Sequence, residues 1–122
     1  MELMNKELER HLRKYPMYSQ DGKGENSEIA VKYFGGSAAT WLITEAEKQQ
    51  NGDWLFFGFI TLGIRDLYNN RYLLWEWGYV RLSELEDLRF PPFGLPVERD
   101  LYIHENARVI DEIFLCRQYG RD

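Results

Sequence analysis

The chain has very few residues that could form a cross-link or bind a soft metal ion. Among its 122 residues there is a single cysteine, Cys116, and there are two histidines, His11 and His104. One cysteine excludes a disulfide within the chain, and these three residues are a thin supply of nitrogen and sulfur ligands for a zinc site. We therefore expect no metal ion and no cofactor.

Clustered positive charge and long apolar runs are also missing. The chain has 15 Lys and Arg residues against 20 Asp and Glu residues, which gives a net charge of −5. A surface that follows nucleic-acid phosphates needs clustered cations, so we expect only weak binding to nucleic acid. No apolar run reaches the roughly 18 residues of a membrane span, and residues 1–4 do not begin a secretory signal. These absences predict a cytoplasmic protein that does not enter a membrane.

Aromatic side chains, in contrast, are abundant. Phe, Trp and Tyr make up 16% of the chain, within a hydrophobic share of 44% and a charged share of 29%. These proportions are typical of a folded globular chain, and the length suits one domain. We therefore predict a single domain over residues 1–122, in which aromatic side chains fill much of the core or line a surface.

The residue pattern predicts an α+β fold, with an antiparallel meander of four to five strands. An amphipathic N-terminal helix is predicted over residues 3–15, with Asn5 as its cap, and Pro16 ends it. Alternating apolar positions predict the first four strands, and Asn51-Gly52 predicts a tight turn between the second and the third. Their predicted bounds are residues 28–34, 39–47, 54–62 and 72–82.

The second half of the chain adds two helices to this sheet. Ser83 and Glu86 have the spacing of a capping box, which predicts a short helix after the fourth strand. Residues 100–104 are predicted as a short edge strand. A final helix is predicted from Asn106, with Gly120 as its C-terminal cap. Residues 19–27 contain no large apolar side chain and are predicted as a mobile loop.

Four segments of the chain have the order and spacing of a known family. Across residues 28–104 the chain resembles a bacterial family named domain of unknown function 2958. The resemblance implies a small accessory protein of plasmids and integrated elements, often encoded near conjugation or anti-restriction genes, and it supplies no catalytic residues. A longer hairpin at residues 63–74 and the helix from Asn106 lie outside this motif set. The segments are TWLITE (40–45), GDWLFFG (52–58), EWGYVRLSEL (76–85) and GLPVERD (94–100).

Three carboxylates, Glu45, Glu76 and Asp100, are weak candidates for catalysis. If they converge, they could perform acid–base chemistry in a small hydrolase or nucleic-acid-processing enzyme, with Arg99 orienting an anionic group. The alternative is a structural network, in which Arg99 reaches inward to Glu45 or Glu76 and Asp100 stays nearer solvent or turn amides. We favour the network, because ion pairs that only stabilise a fold also perturb carboxylates.

Aromatic residues of the strands are candidates for a binding surface. The third and fourth strands are apolar on both faces, and the predicted helices do not cover all of that area. Core packing competes for the same side chains, but Trp and Tyr are also favoured anchors at protein interfaces. The candidate binding residues are Trp41, Trp54, Trp75, Trp77, Tyr79 and Arg99.

The sequence thus predicts a non-enzymatic accessory protein that binds an unidentified protein partner through an aromatic-rich sheet face or groove. Two alternatives stay open: the carboxylate enzyme, and a domain that binds a small ligand between helix and sheet. The sequence also leaves open whether the chain forms a homodimer. An interface predicts a contiguous exposed aromatic patch, whereas an enzyme predicts carboxylates that converge in a concave pocket.

Overall fold

An antiparallel sheet with three helices forms the structure, which confirms the predicted α+β fold. The computed structural model describes residues 2–64 and 73–118, and the side chains of residues 2–64 and 73–114. Five strands form the main sheet in the order β4-β3-β2-β1-β7, while β5 and β6 form a separate hairpin. The strands are β1 (Val31–Gly35), β2 (Ala39–Lys48), β3 (Trp54–Thr61), β4 (Glu76–Arg81), β5 (Arg89–Phe90), β6 (Leu95–Pro96) and β7 (Glu98–Arg99).

The helices lie on opposite faces of the main sheet. They are α1 (Lys6–Leu12), α2 (Leu82–Asp87) and α3 (Val109–Gln118). On one face α1 and α2 bury their leucines against Trp41, Ile43 and Phe56. On the other face α3 places Val109 and Ile113 against Leu42. We refer to these as the α1 face and the α3 face.

Local signals at the first helix and the first hairpins act as predicted. The Asn5 side chain accepts the Leu8 amide at 2.8 Å and begins α1, although the helix ends at Leu12 and not at residue 15. Gly52 has a φ of +88°, a left-handed conformation that glycine adopts without strain, and lies in the predicted turn between β2 and β3. Each of β1 to β4 then pairs antiparallel with the next strand along the chain, as a meander does.

A bulge in β2 changes which side chains face the core. The pairing of β2 with β3 shifts register between Ile43 and Glu45. Simple alternation along residues 39–47 predicts Trp41, Ile43 and Glu45 on one face. The shift instead leaves Ala46 on the α1 face with Trp41 and Ile43, so this prediction is wrong for Glu45. Next to the bulge, Gly58 lies directly against the Leu42 carbonyl oxygen, where a Cβ atom would clash.

The predicted capping box of α2 is wrong. Arg81 is the N-cap residue, and its amide donates to the Glu84 carboxylate at 3.0 Å. The amide and the hydroxyl of Ser83 donate to Asp53 at 3.1 and 2.7 Å. The Ser83 hydroxyl in turn lowers the pKa of the Asp53 carboxyl below its usual value. Since Asp53 lies in the turn before β3, α2 is capped from a distant part of the chain.

The chain after β6 also differs from the prediction. The edge strand is β7, which pairs Arg99 with Tyr33, and residues 100–104 form no strand. The Asp100 carboxylate accepts the Tyr102 amide at 2.8 Å, and this short turn directs the chain away from the sheet edge. The last helix begins at Val109 rather than near Asn106, and Gly120 lies outside the described residues.

Candidate functional site

A continuous row of aromatic rings lies on the α3 face of β3 and β4. Phe57 is directly across from Tyr79, and Phe59 is directly across from Trp77. The ring centroids are 4.9 Å apart in both pairs. Phe57 also stacks on Trp77 at 5.6 Å, and Phe59 stacks on Trp75 at 5.3 Å. We call these five side chains the aromatic row: Phe57, Phe59, Trp75, Trp77 and Tyr79.

The aromatic row forms because both strands alternate in phase. Directly opposed residues of an antiparallel pair point to the same side of the sheet, so every second residue of β3 and β4 adds a ring to one face. Offset stacking and tilted contacts of this kind stabilise ring pairs beyond the area that they bury. The rings therefore hold one another in place as a preformed surface.

Helix α3 covers only one end of the aromatic row. Phe59 and Trp75 are partly buried and pack against the apolar cluster that contains Leu42 and Val109. Toward the β4 edge of the sheet the cover ends, so Trp77 remains 38% exposed and Tyr79 remains 57% exposed. The row thus runs from the apolar cluster under α3 to the edge of the sheet, where Trp77 and Tyr79 form its exposed end.

The structure divides the predicted binding residues into three groups. Trp75, Trp77 and Tyr79 belong to the aromatic row. Trp41 and Trp54 are buried in the core on the α1 side, so core packing takes these two side chains. Arg99 lies on β7, at the sheet edge opposite β4. Phe57 and Phe59 are not among the six predicted binding residues, although the sequence marks both as aromatic residues of the strands that could form a surface.

The candidate catalytic carboxylates do not converge. Glu76 is exposed on β4, whereas Asp100 follows β7 at the opposite edge of the sheet. Four strand spacings separate these edges, which corresponds to about 19 Å. Glu45 lies in β2, where its carboxylate accepts the amides of Tyr18 and Gln20, both at 3.0 Å. The enzyme hypothesis therefore lacks the carboxylate pair from which it started.

The bonds to Glu45 also anchor a segment that we predicted to be mobile. The Gln20 side chain is buried, donates to the carbonyls of Glu28 and Thr44 at 2.8 and 2.9 Å, and accepts the Glu28 amide at 2.7 Å. Together Glu45 and Gln20 hold the start of residues 19–27 against the end of β2. The lack of large apolar side chains in residues 19–27 therefore does not indicate mobility, because the buried side chains of Glu45 and Gln20 anchor the start of this segment.

A buried lysine performs the bridging role that we expected of Arg99. The Lys32 Nζ atom lies 2.7 Å from the Glu112 carboxylate on α3 and 3.4 Å from the Asp100 carboxylate. Arg99 lies across from Tyr33 on the face opposite to Asp100, as alternation predicts. Glu76 lies at the far edge of the sheet, and the Glu45 carboxylate accepts two backbone amides. The sequence analysis missed Lys32, whose signal was a single charge between Ala30 and Phe34 on one face of a strand.

A cleft of about 300 Å³ lies beside β4. Its walls include Trp41, Ile60 and Val80, and Gly78 leaves open space where a side chain would project. Glu76 supplies a carboxylate to this cleft, and the described lining residues include no second acid that could act as its partner in catalysis. The concave site next to β4 thus suits binding better than acid–base chemistry.

Neither a metal-binding cluster nor a membrane-spanning helix occurs in the part of the chain that the structure describes. There, no group of three or more His, Cys, Asp or Glu side chains has an arrangement that could hold a metal ion. No helix within these residues is both long enough and apolar enough to cross a membrane.

Comparison with known proteins gives one match. A family model described as "Protein of unknown function (DUF2958)" matches residues 3–121, which is nearly the whole chain. The match extends beyond residues 28–104, over which the motif segments resemble this family, and it includes α1 and α3. No curated protein and no solved structure matches the chain.

Proposed function

The chain belongs to the DUF2958 family, which is described as proteins of unknown function, and we propose that it acts without catalysis by binding another protein. The proposed contact surface is the aromatic row. The observation that carries this proposal is the contiguous exposure of Trp77 and Tyr79 at the end of a row of mutually packed rings. Exposed apolar patches of this kind mark interaction sites on folded proteins.

The chemistry of the row suits a protein partner. Trp and Tyr are enriched among the residues that dominate binding energy, because each buries a large apolar area and retains a polar group. The rings already contact one another, so a partner that docks on them immobilises few additional side-chain torsions. A preformed row therefore keeps the entropic cost of binding low.

A nucleic-acid partner is the weaker alternative for the same rings. Aromatic platforms that stack bases lie in positively charged grooves that follow the phosphate backbone. Arg81 is the cation that β4 contributes, while Arg65 and Arg71 lie outside the described residues. The net charge of −5 also opposes binding to a polyanion.

The setting of this function is also part of the proposal. The family resemblance implies an accessory protein of plasmids or integrated elements, and the composition is that of a cytoplasmic protein. We infer that the partner is a protein of the bacterial cytoplasm that such an element encounters in its host.

Affinity capture from host cells tests the proposed function. The baits are the parent chain, the Trp77→Ser/Tyr79→Ser variant, and a Tyr102→Ser control whose side chain is 92% exposed away from the row. We expect one protein to be captured by the parent and the control but not by the row variant. Equal capture by all three baits, or release of the captured material by nuclease, would contradict a protein partner on the row.

Binding of a small ligand in the cleft beside β4 is a second candidate function. Its apolar walls and the carboxylate of Glu76 would suit a small apolar amine. Calorimetric titration of the parent and of Glu76→Gln with such amines separates this candidate from the first. Heat that depends on Glu76 would support the cleft, and the absence of any heat would remove it.

A further inference from the structure

β4 ends the main sheet as an open edge. It pairs with β3 over six residues, Glu76 to Arg81, and within the described residues no strand pairs with its other side. Every second residue of an antiparallel strand directs its amide and carbonyl away from its neighbour, so β4 presents donors and acceptors along this edge that no strand of residues 2–64 and 73–118 pairs with. The opposite edge is β7, which has two residues and offers little to pair with.

The sequence and register of β4 itself contain no lysine, proline or bulge that would block an open edge. Edge strands are normally interrupted by lysine, proline or a bulge, or they are very short. β4 reads Glu-Trp-Gly-Tyr-Val-Arg, so its charges lie only at its two ends. Its register with β3 is unbroken from residue 76 to residue 81, since the bulge of this sheet lies between β2 and β3. A regular, exposed edge of this kind is suited to pair with another strand.

We propose that β4 pairs antiparallel with β4 of a second copy of the chain. The two copies are related by a twofold axis perpendicular to the sheet. Directly opposed residues then lie on the same face of the combined sheet, and the residue on the axis lies across from its own counterpart in the other copy. With Tyr79 on the axis, Arg81 of each copy lies across from Trp77 of the other. A guanidinium group beside an indole is a favourable cation–π pair, and this register opposes no like charges. The edge of β4 is therefore complementary to itself.

Pairing at this edge would leave the proposed partner surface available. A twofold axis perpendicular to the sheet places both α3 faces on the same side, so the two aromatic rows become one wider row. The inference does not rest on the proposed function, because the backbone groups of β4 and the Arg81–Trp77 pairs form the contact. A partner would instead meet the outward surface of the rows.

Sedimentation equilibrium tests the self-pairing. Parent, Tyr79→Lys and Tyr102→Lys are compared from about 10 µM to about 1 mM, a range in which weak specific dimers dissociate. The parent mass should rise with concentration toward twice the monomer mass. Tyr79→Lys places two lysines opposite each other on the axis, so its dissociation constant should rise at least about tenfold. Tyr102→Lys should behave as the parent does, and circular dichroism of all three should agree.

Hydrogen exchange of the β4 amides provides the independent readout. In the parent, outward-facing amides of residues 76–81 should exchange more slowly at high protein concentration, and those of β7 should not change. A parent that stays monomeric throughout the range overturns the proposal. So does a dimer that Tyr79→Lys leaves intact, or one that does not protect β4. None of these outcomes depends on whether a heterologous partner is captured.

Discussion

Replacing Lys32 by methionine should strongly destabilise the fold, because it removes the cation of a buried ion-pair network. The Lys32 side chain is 6% exposed and lies between the side chains of Glu112, 11% exposed, and Asp100, 22% exposed. Methionine retains most of the aliphatic volume of lysine, so the main loss is the charge. The substitution therefore leaves the Glu112 and Asp100 carboxylates beneath α3 without the lysine that neutralises them.

The expected size of the effect follows from this burial. Removing one partner of a buried ion pair typically costs about 3–5 kcal/mol, since the remaining charge stays poorly solvated. Asp100 retains contact with water, so we expect a value near the lower end, about 3 kcal/mol. The double variant Lys32→Met/Glu112→Leu removes the more buried acid as well and should recover most of that loss. Replacing a whole buried pair with apolar side chains is often close to neutral.

Urea unfolding at neutral pH, followed by tryptophan fluorescence, measures these differences. For an m-value of about 1–3 kcal/mol/M, the Lys32→Met midpoint should fall by about 1–3 M. The matched control is Lys48→Met, which breaks an ion pair with Glu9 at 3.4 Å on an exposed lysine. That variant should stay within about 0.5 kcal/mol of the parent.

Two results would refute this reasoning. If Lys32→Met and Lys48→Met lose equal stability, burial does not control the energy of the Lys32 network. If the double variant is as unstable as Lys32→Met alone, an uncompensated carboxylate is not the cause of the loss.

Two further predictions concern titratable groups. Ser83→Ala removes the hydroxyl that lowers the Asp53 pKa, so that pKa should rise in an NMR titration. Stability should fall by only about 0.5 kcal/mol, as for an exposed hydrogen bond, because the Ser83 amide still donates to Asp53. Because the folded-state pKa of Asp53 is lowered, its contribution is present above about pH 4 and is lost as the pH falls through the folded value. Burial raises the pKa of Tyr33, whose hydroxyl donates to the Leu3 carbonyl at 2.8 Å. Stability should therefore decline as the pH rises above about 10, and Tyr33→Phe should flatten this decline in denaturation curves; an unchanged slope would contradict it.

The sequence by itself determined the features that depend on neighbours within a few residues. Asn5 caps α1 because its side chain reaches an amide three residues later, and Asn51-Gly52 closes a hairpin because glycine accepts a positive φ. The alternation of apolar residues predicts both ends of β1, β2 and β3 to within three residues and the start of β4 to within four. It does so because successive side chains of a strand point to opposite faces of the sheet. The motif segments likewise sufficed to identify the family, which the match over residues 3–121 confirms.

Tertiary structure decided every feature that depends on distant segments. Asp53 caps α2 from 30 residues earlier in the chain, and Lys32 pairs with Glu112, which lies 80 residues later. No local spacing could indicate either contact. The aromatic residues were visible in the sequence, but both faces of β3 and β4 are apolar. Which rings stay exposed depends on where α3 packs, and α3 lies over β1 and β2 because Val109 and Ile113 bury against Leu42 while Glu112 pairs with Lys32. Helix placement on the sheet, rather than strand pattern, thus separates Trp41 and Trp54 in the core from Trp77 and Tyr79 at the surface.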